Sequence, residues 1–341
     1  MKTWLEPARE IPVHEYDVAI AGAGTGGVVA ALAAARGGAR TVLVESKGYV
    51  GGIAGEGGTA LHSFFNLWKP FPGVPKVQLV RGIPAEIVDR LRGAGGTYGH
   101  VETTGGVDYD SVCTSIDTEI YKHVVHTMLV EAGVDLWLNT VVVGAVTEGT
   151  RVTGMLVESR SGRELLRAAS FVDATGYGDL SAHAGARFTE PNDHPVANSM
   201  GVGGVDVDRF AAWLRSIGAV QDYADTTLPD GRKQIVRITA NTAALPPDLV
   251  AELQAIGMNL VTTAMRNDHF MFIKINCKTK ESPVGRDIQS AAEHTLRIRQ
   301  QQGLALLRRA VPGCENAYIV RTSPSLTIRR GRCIVCDYDL S

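Results

Sequence analysis

Residues 16 to 52 limit what this chain can fold into more than any other stretch. An apolar run, Tyr16-Asp17-Val18-Ala19-Ile20-Ala21, leads into Gly22-Ala23-Gly24-Thr25-Gly26-Gly27. An alanine-rich helical stretch follows, then a second apolar run, Thr41-Val42-Leu43-Val44, ending at Glu45, and the pair Gly51-Gly52. Gly22 allows the tight turn out of the strand, Gly24 lets backbone approach a pyrophosphate with no Cβ in the way, and Gly27 lets the helix pack closely on the sheet. The unpaired N–H groups and positive dipole end at the start of that helix favour an anion, by about 1 kcal/mol from the dipole alone. Ala31, Ala35 and Gly38 keep the sheet-facing side of the helix thin. Glu45, at the carboxyl end of the second strand, can accept hydrogen bonds from ribose hydroxyls and would repel a 2′-phosphate. The stretch reads as a site for the ADP half of a dinucleotide. Glycine supplies 38 of the 341 residues, so the glycine spacing alone is weak, and the ordered strand, helix, strand and acid carry the reading.

At 45% hydrophobic residues the chain can bury a large core, and its length suits two lobes. A formal charge of -2 provides no general field for nucleic acid or acidic membranes. No N-terminal apolar run has signal-peptide length, and no later segment reaches the roughly 20 apolar residues of a membrane span. A cytoplasmic protein without membrane or nucleic-acid partners is expected. Cys113, Cys277, Cys314, Cys333 and Cys336 are an odd number and do not form a disulfide framework pattern. Cys333-Ile334-Val335-Cys336 is a CxxC, which raises a redox dithiol or half a zinc site. No second ligand pair is near, and in an extended segment the two sulfurs would face opposite ways, so two buried thiols and no metal are expected.

Further along, the pattern stays α/β. Residues 53 to 112 are rich in glycine and aromatics (Gly55, Gly57, Gly58, Phe64, Phe65, Trp68, Phe71, Tyr98), with one helical piece near Pro84 to Arg92, and read as loops covering a site. Ser115 or Asp117 can cap the following helix, whose Ile120, Tyr121, Val124, Val125, Met128 and Leu129 repeat at helical spacing until Gly133. Thr140 to Val146, Arg151 to Glu158 and Glu164 to Ala168, separated by Glu148-Gly149 and Ser161-Gly162, predict an antiparallel meander. A final strand, Ser170-Phe171-Val172, runs into Asp173-Ala174-Thr175-Gly176-Tyr177-Gly178-Asp179. Its backbone N–H groups and hydroxyl are expected at the sheet edge where the first glycine loop opens.

The glycine loop, Glu45, Gly51-Gly52, the strand around Val141-Val142-Val143 and Asp173-Ala174-Thr175-Gly176 resemble the two-dinucleotide-binding-domain flavoproteins. More narrowly, residues 172 to 180 and Ile328-Arg329-Arg330-Gly331-Arg332 resemble the FAD-dependent oxidoreductase family distantly related to fumarate reductase flavoproteins. The resemblance covers most of residues 14 to 200 and returns near 320 to 338. It implies a Rossmann-like FAD-binding domain with a three-layer parallel sheet and β-meander over residues 14–200, with a cap or loop insertion at about 53–112. A second, α+β substrate lobe would span 201–325, and residues 326–341 would begin a return to the FAD domain.

The implied cofactor is FAD. Gly22, Gly24 and Gly27 would hold the pyrophosphate and Glu45 the ribose. Gly51 and Gly52 would let the chain pass close to the flavin side, the Val142 backbone would meet adenine, and Thr175 and Gly176, in the block that Asp173 opens, would flank the pyrophosphate. Asp179 would lie deeper toward the cofactor, or cap a helix from Leu180, or both. Two positions depart from the family pattern. Gly48 stands where related flavoproteins often have arginine, so the nearest cation, Lys47, is taken into the cofactor set; Gly331 and Cys333 stand where Ser and Arg are typical. Family members also continue well beyond this segment, so the chain is expected to be shortened at its C-terminus.

The substrate lobe is expected to use Val205 to Ile217, Leu249 to Ala255 and a long helix over Ile288 to Ala310, whose arginines form either a solvated basic face or an anion-recruiting one. Flavin chemistry leaves the protein to orient substrate, move a proton and stabilise charge. His62 is the candidate for the proton and Arg329, or Arg332, for clamping a carboxylate. An ordinary loop histidine and ordinary ion pairs are the alternatives, and His100, His194 and Tyr98 are further candidates. The expected activity is hydride transfer between flavin and a small polar, optionally carboxylated, substrate, with an electron acceptor or a complementing chain as further partner. Alternatives are a shortened, non-catalytic or split flavoprotein, and an NAD-linked dehydrogenase or RNA-modifying flavoprotein.

Overall fold

A computed structural model of the chain describes residues 3–56, 60–62, 78–105 and 111–338, without the side chains of Leu61 and His62. The chain divides into two compact units, each assembled from separated stretches: Met1–Val50, Met128–Thr189 and Arg332–Ser341 in the first, Gly51–Thr127 and Glu190–Gly331 in the second.

The first unit is built on a six-stranded sheet whose order is Asp135–Trp137, Thr41–Val44, Val13–Ala21, Gly162–Asp173, Arg151–Ser159 and Val141–Glu148. Pairing is parallel across the first four strands and antiparallel across the last three. Burial explains the pattern: Thr41–Val44 is buried at every residue, as a parallel strand covered on both faces must be. The core gathers Ala19, Ala21, Val42, Val44, Met155, Val157 and Leu166, and the helix Thr25–Arg36 packs on the central strands through Gly27, Val28, Ala31 and Leu32.

Register matters most for function. Ala21 pairs with both Val44 and Asp173, and Val44 pairs with Trp137, so the parallel strands end level with one another. The segment expected as two strands, 164–168 and 170–172, is one strand, Gly162–Asp173. Its first half closes the antiparallel meander and its second half pairs in parallel with Val18–Ala21. Ala168 and Ala169 are no breaker, so nothing interrupts the ladder.

The second unit carries an eight-stranded sheet. Its main path runs Tyr318–Thr322, Met200–Gly203, His269–Cys277, Met258–Arg266, Lys233–Ala240, Val220–Thr227 and Thr104–Gly105, with Val196–Ala197 also pairing His269–Cys277. The helices Val207–Ser216, Pro247–Ile256 and Arg286–Ala310 fall where the periodicity places them. Asp206 caps the first, accepting the Arg209 N–H at 2.9 Å, and Phe210 meets Phe270 edge-on at 5.2 Å. A small sheet of Leu61–His62, Val112–Ser115 and Val101–Glu102 completes this unit.

Two sequence expectations are refined here. Arg308 and Arg309 of the long helix are exposed, as a solvated face requires, but three of its arginines also hold carbonyls: Arg299 donates to that of Asn276 at 2.6 Å, Arg308 to that of Ala317 at 2.6 Å and Arg297 to that of Ser323 at 2.9 Å. Long guanidinium stems staple carbonyls of neighbouring segments to the helix. Cys333 and Cys336 are exposed, whereas Cys113, Cys277 and Cys314 are buried. The Cys333–Ile334 ladder against Phe188–Thr189 is only two residues long, so the strand ends before Cys336 and supplies no apolar cover. Among the described residues, no helix is long and apolar enough to cross a membrane.

Candidate cofactor site

Level strand ends bring three turns of the first unit together. Gly22 leaves Ala21 with φ +90, a left-handed value that favours glycine, and its N–H donates to the Val44 carbonyl at 2.8 Å. A Cβ on Gly22 would lie 2.5 Å from the Ala174 carbonyl oxygen, and one on Gly27 would lie 1.8 Å from the Gly22 carbonyl oxygen. Both glycines are therefore demanded by the packing of helix, strand and second loop. Gly24 differs, since a Cβ there would meet nothing within 4 Å. Its backbone borders open space at the helix start, where a ligand can come against it.

Electrostatics points the same way. Gly24 is the N-cap of the Thr25–Arg36 helix, so it supplies no side-chain cap, and the first turn holds no acidic residue. Nothing on the helix itself answers its N-terminal N–H groups or its positive dipole end. Glu45, 9% exposed, faces this loop: one carboxylate oxygen accepts the Ala23 N–H at 2.8 Å, the other the Lys47 N–H at 3.0 Å and the Ser46 hydroxyl at 2.9 Å. The carboxylate is thus fixed against the turn, and the oxygen that accepts the Ala23 N–H keeps a lone pair for a further hydroxyl donor. These features fit the ADP end of a dinucleotide.

The second loop is organised by Asp173. Its carboxylate accepts the Thr175 N–H at 3.1 Å and hydroxyl at 2.7 Å, and the Ser181 N–H and hydroxyl at 2.8 Å each. Burial pushes this carboxyl up, but the hydrogen bonds outweigh burial and hold it below its ordinary value. Thr175 in turn accepts the Asp179 N–H at 3.0 Å. Ala174 is tied by its N–H to the Ala21 carbonyl at 2.8 Å, while Gly176, at φ +78, borders open space.

Other sequence candidates take definite places. Gly178 caps the Asp179–His183 helix and Asp179 is its first residue, so Asp179 is not the cap. Its carboxylate pairs with Arg332 at 2.6 Å. Arg332 also donates to the Tyr177 carbonyl at 3.4 Å and lies over the Phe188 ring, which makes it a strut of the second loop. The Lys47 carbonyl accepts the Asn139 N–H at 3.0 Å. Val142 pairs with Val157 on an edge strand whose register shifts between Val142 and Gly144; a bulge on an edge leaves backbone groups unpaired. Ser46 and Ser181, which the motif reading passed over, hold the two acids in place. Ser46 is signalled only by standing next to Glu45, and Ser181, eight residues beyond Asp173, by no local spacing.

Gly51 and Gly52 belong to the second unit. Gly51 has φ +109, and a Cβ there would lie 2.7 Å from the Tyr121 ring; Gly52 opens the helix Gly52–Glu56. The backbone of His62 pairs with Thr114, but its side chain lies outside the described residues, as do Gly57, Gly58, Phe64, Phe65, Trp68 and Phe71. Arg329 is exposed. Lys274 is pushed below its usual range by burial and by the charge of Arg329. His100 contacts the Thr114 hydroxyl at 2.7 Å, Tyr98 donates to the Met265 carbonyl at 2.9 Å, and His194 pairs with Asp193 at 2.9 Å. Among the described residues, no cluster of His, Cys, Asp or Glu suits a metal ion.

Comparison with known proteins adds the family. In fold the chain is similar to the FAD-dependent halogenase CndH of a myxobacterium, with a TM-score of 0.54 and 16% identity over 94% of this chain and 65% of that one. It is also similar to a geranylgeranyl bacteriochlorophyll reductase-like protein of Thermoplasma acidophilum (TM-score 0.49, 14% identity, 92% of this chain and 66% of that one). A third is p-nitrophenol 4-monooxygenase PnpA of Pseudomonas putida (TM-score 0.49, 14% identity, 93% and 67%). The chain spans about two thirds of the length of these proteins. No curated protein matches it in sequence. The model of the FAD-dependent oxidoreductase family matches residues 17–341, and the chain belongs to that family.

Proposed function

We propose that this chain binds FAD through Gly22, Gly24, Gly27 and Glu45 and serves hydride transfer between the flavin and a small polar substrate. The observation that supports this best is the level ending of the parallel strands, which sets an unanswered helix N-terminus, an open Gly24 backbone and a fixed Glu45 carboxylate around one point of the sheet edge. FAD, when bound, supplies two-electron chemistry at its ring.

In this reading, the chain's own groups bind and orient. The first-turn N–H groups and the Gly24 backbone take the pyrophosphate, Glu45 takes the ribose hydroxyls, and the Thr175-Gly176 turn, shaped by Asp173, borders the phosphates. Lys47 adds positive charge near that end and the Val142 backbone meets the adenine. Asp179 acts through Arg332 by fixing the second loop.

The test is the absorbance spectrum of the purified full chain before and after addition of FAD. Flavin bands approaching one equivalent, lost in a Glu45→Ala, Gly24→Val double variant that still folds, support the reading. A folded chain that stays colourless and takes up no FAD overturns it. Adding a candidate electron acceptor, or a complementing chain, to flavin-loaded protein then asks which partner reoxidises it.

A further inference from the structure

Cys333 and Cys336 are exposed, whereas Cys113, Cys277 and Cys314 are buried, and the segment between the exposed pair is seated on the second loop of the first unit. Cys333 pairs with Thr189 and Ile334 with Phe188, and the Val335 N–H donates to the Arg187 carbonyl at 2.8 Å. From this ladder the Ile334 side chain packs on Gly178: a Cβ there would lie 2.8 Å from Ile334 Cδ1 and 3.2 Å from Cγ1. Arg332, immediately before the first thiol, reaches the Asp179 carboxylate at 2.6 Å and the Tyr177 carbonyl at 3.4 Å. Tyr177, Gly178 and Asp179 are thus all held by residues 332 and 334. Asp179 passes the hold on, because its N–H donates to the Thr175 hydroxyl at 3.0 Å.

Beyond Val335 the chain turns back on itself. The Cys336 thiol donates to the Ile334 carbonyl at 3.5 Å, which sets its sulfur beside the residue that follows Cys333. A disulfide needs its two Cα atoms about 4.4–6.8 Å apart, whereas residues three apart on an extended strand are separated by about 10 Å. The ladder that runs from Cys333 to Val335 is therefore what holds the two thiols from closing. Joining the sulfurs folds Ile334 and Val335 into a turn, and a turn there gives up both the Val335 bond to Arg187 and the seat of Ile334 on Gly178. Both thiols are open to solvent, so an oxidant in solution can reach them.

We propose that Cys333 and Cys336 are a modification site, where a low-molecular-weight disulfide such as oxidised glutathione joins them reversibly and thereby lifts Ile334 from Gly178 and loosens the second loop. One cysteine thiolate attacks a sulfur of the glutathione disulfide and expels a glutathione thiolate, leaving a mixed disulfide. The other cysteine thiolate attacks the protein sulfur of that bond and expels the second glutathione. The cysteine pair is oxidised, glutathione is reduced, and the two thiol protons end on the two glutathione molecules. Excess reduced glutathione runs the same steps backward. That the loosened loop borders FAD rests on the function proposed above, while the thiol chemistry and the loosening do not.

The experiment uses the full chain in glutathione buffers with a rising share of the oxidised form. Mass spectrometry locates the bond, hydrogen exchange reads the loop and absorbance reads FAD uptake, all on the same samples. The expected result is loss of two hydrogens from the peptide that carries both cysteines, reversed by reduced glutathione. The Ser181 and Ala182 amides, which donate at 2.8 Å to the Asp173 carboxylate and the Gly178 carbonyl, should then exchange about tenfold faster, and FAD should bind about tenfold more weakly. Cys333→Ser should show neither change, and Ile334→Ala, which removes the contact on Gly178, should speed the same amides with no oxidant present. Three outcomes overturn the proposal: glutathione left on one cysteine with no internal bond at any ratio, a disulfide that leaves both amides unchanged, or the same response in Cys333→Ser. A chain that closes the bond and loosens the loop but takes up no FAD in either state sinks the functional reading and leaves this site standing. A chain that holds FAD equally in both buffers and forms no disulfide does the reverse.

Discussion

The glycine loop of the first unit and the Arg321 side chain of the second both present positive charge, but one does so with backbone and the other with a side chain. At the loop, helix N–H groups do the work, and side chains matter by being absent, as at Gly22, Gly24 and Gly27. At the sheet face, a long cationic side chain is steered by Gly201 and two carbonyls. A backbone site tolerates no added atom where its parts touch, whereas a side-chain site tolerates changes that keep its charge.

Two substitutions in the loop give the largest expected contrast. A side chain at Gly27 would run into the Gly22 carbonyl oxygen 1.8 Å from the new Cβ, so Gly27→Val should lower unfolding stability by more than about 3 kcal/mol and abolish FAD uptake. Gly24→Val meets open space, so its stability should change by less than about 1 kcal/mol while FAD affinity falls steeply. Urea unfolding and flavin titration of both variants measure this; equal stability losses would break the distinction between packing glycines and ligand-facing ones.

The next contrast sets two guanidiniums of the second unit against each other. Asp222→Ala removes the carboxylate that accepts from the buried Arg237 guanidinium at 2.7 Å and should cost about 3–5 kcal/mol. Arg321→Gln removes a cation that has no acid at ion-pair distance among the described residues and should cost less, about 1–3 kcal/mol for its carbonyl hydrogen bonds. Thermal unfolding of the two variants ranks them. A larger loss for Arg321→Gln would mean that its charge, too, is answered within the fold.

These contrasts also mark what could be read from sequence. The βαβ unit was legible because its parts are contiguous and each has a spacing: apolar run, glycines, helix, acid. The Asp173 loop was legible as a motif, but not its internal wiring through Ser181, eight residues on. The Arg321 face was illegible, because Gly201, Met271 and Arg321 meet only through strand order and bulged register, which no local pattern encodes. Cys333 and Cys336 were misread for a related reason. An extended segment with no second ligand pair suggested two ordinary buried thiols, but the two-residue ladder there ends before Cys336 and gives no cover. The carbonyl contacts of Arg297, Arg299 and Arg308 were illegible because a guanidinium reaches carbonyls that sequence does not place.

A smaller effect sharpens the role of Glu45. Its carboxylate accepts three donors from its own loop, so Glu45→Gln keeps the shape of the side chain but gives an amine where an acceptor stood. FAD affinity should fall about tenfold, or about 1.4 kcal/mol, with a stability loss of about 1 kcal/mol. An unchanged affinity in flavin titration would assign Glu45 to the turn alone and remove it from ribose binding.

The smallest expected effect concerns pH and the Asp173 loop. Burial raises the Asp173 carboxyl, but bonds from the Ser181 and Thr175 N–H groups and hydroxyls bring it below its ordinary value of 3.8. The unfolded chain therefore takes up this proton at a higher pH than the folded one. The stability these bonds contribute is present above the ordinary value and is lost as pH falls through the lower, folded-state value. In Asp173→Asn the oxygen facing Ser181 is exchanged for an NH2 group that cannot accept those two bonds, and no charge remains to titrate. Melting temperature should then fall less steeply with acidification between about pH 5 and pH 3 in the variant than in the wild type, while the variant starts lower at neutral pH. Parallel slopes would show that the second loop is held by its backbone, as the first one is, and not by this carboxylate.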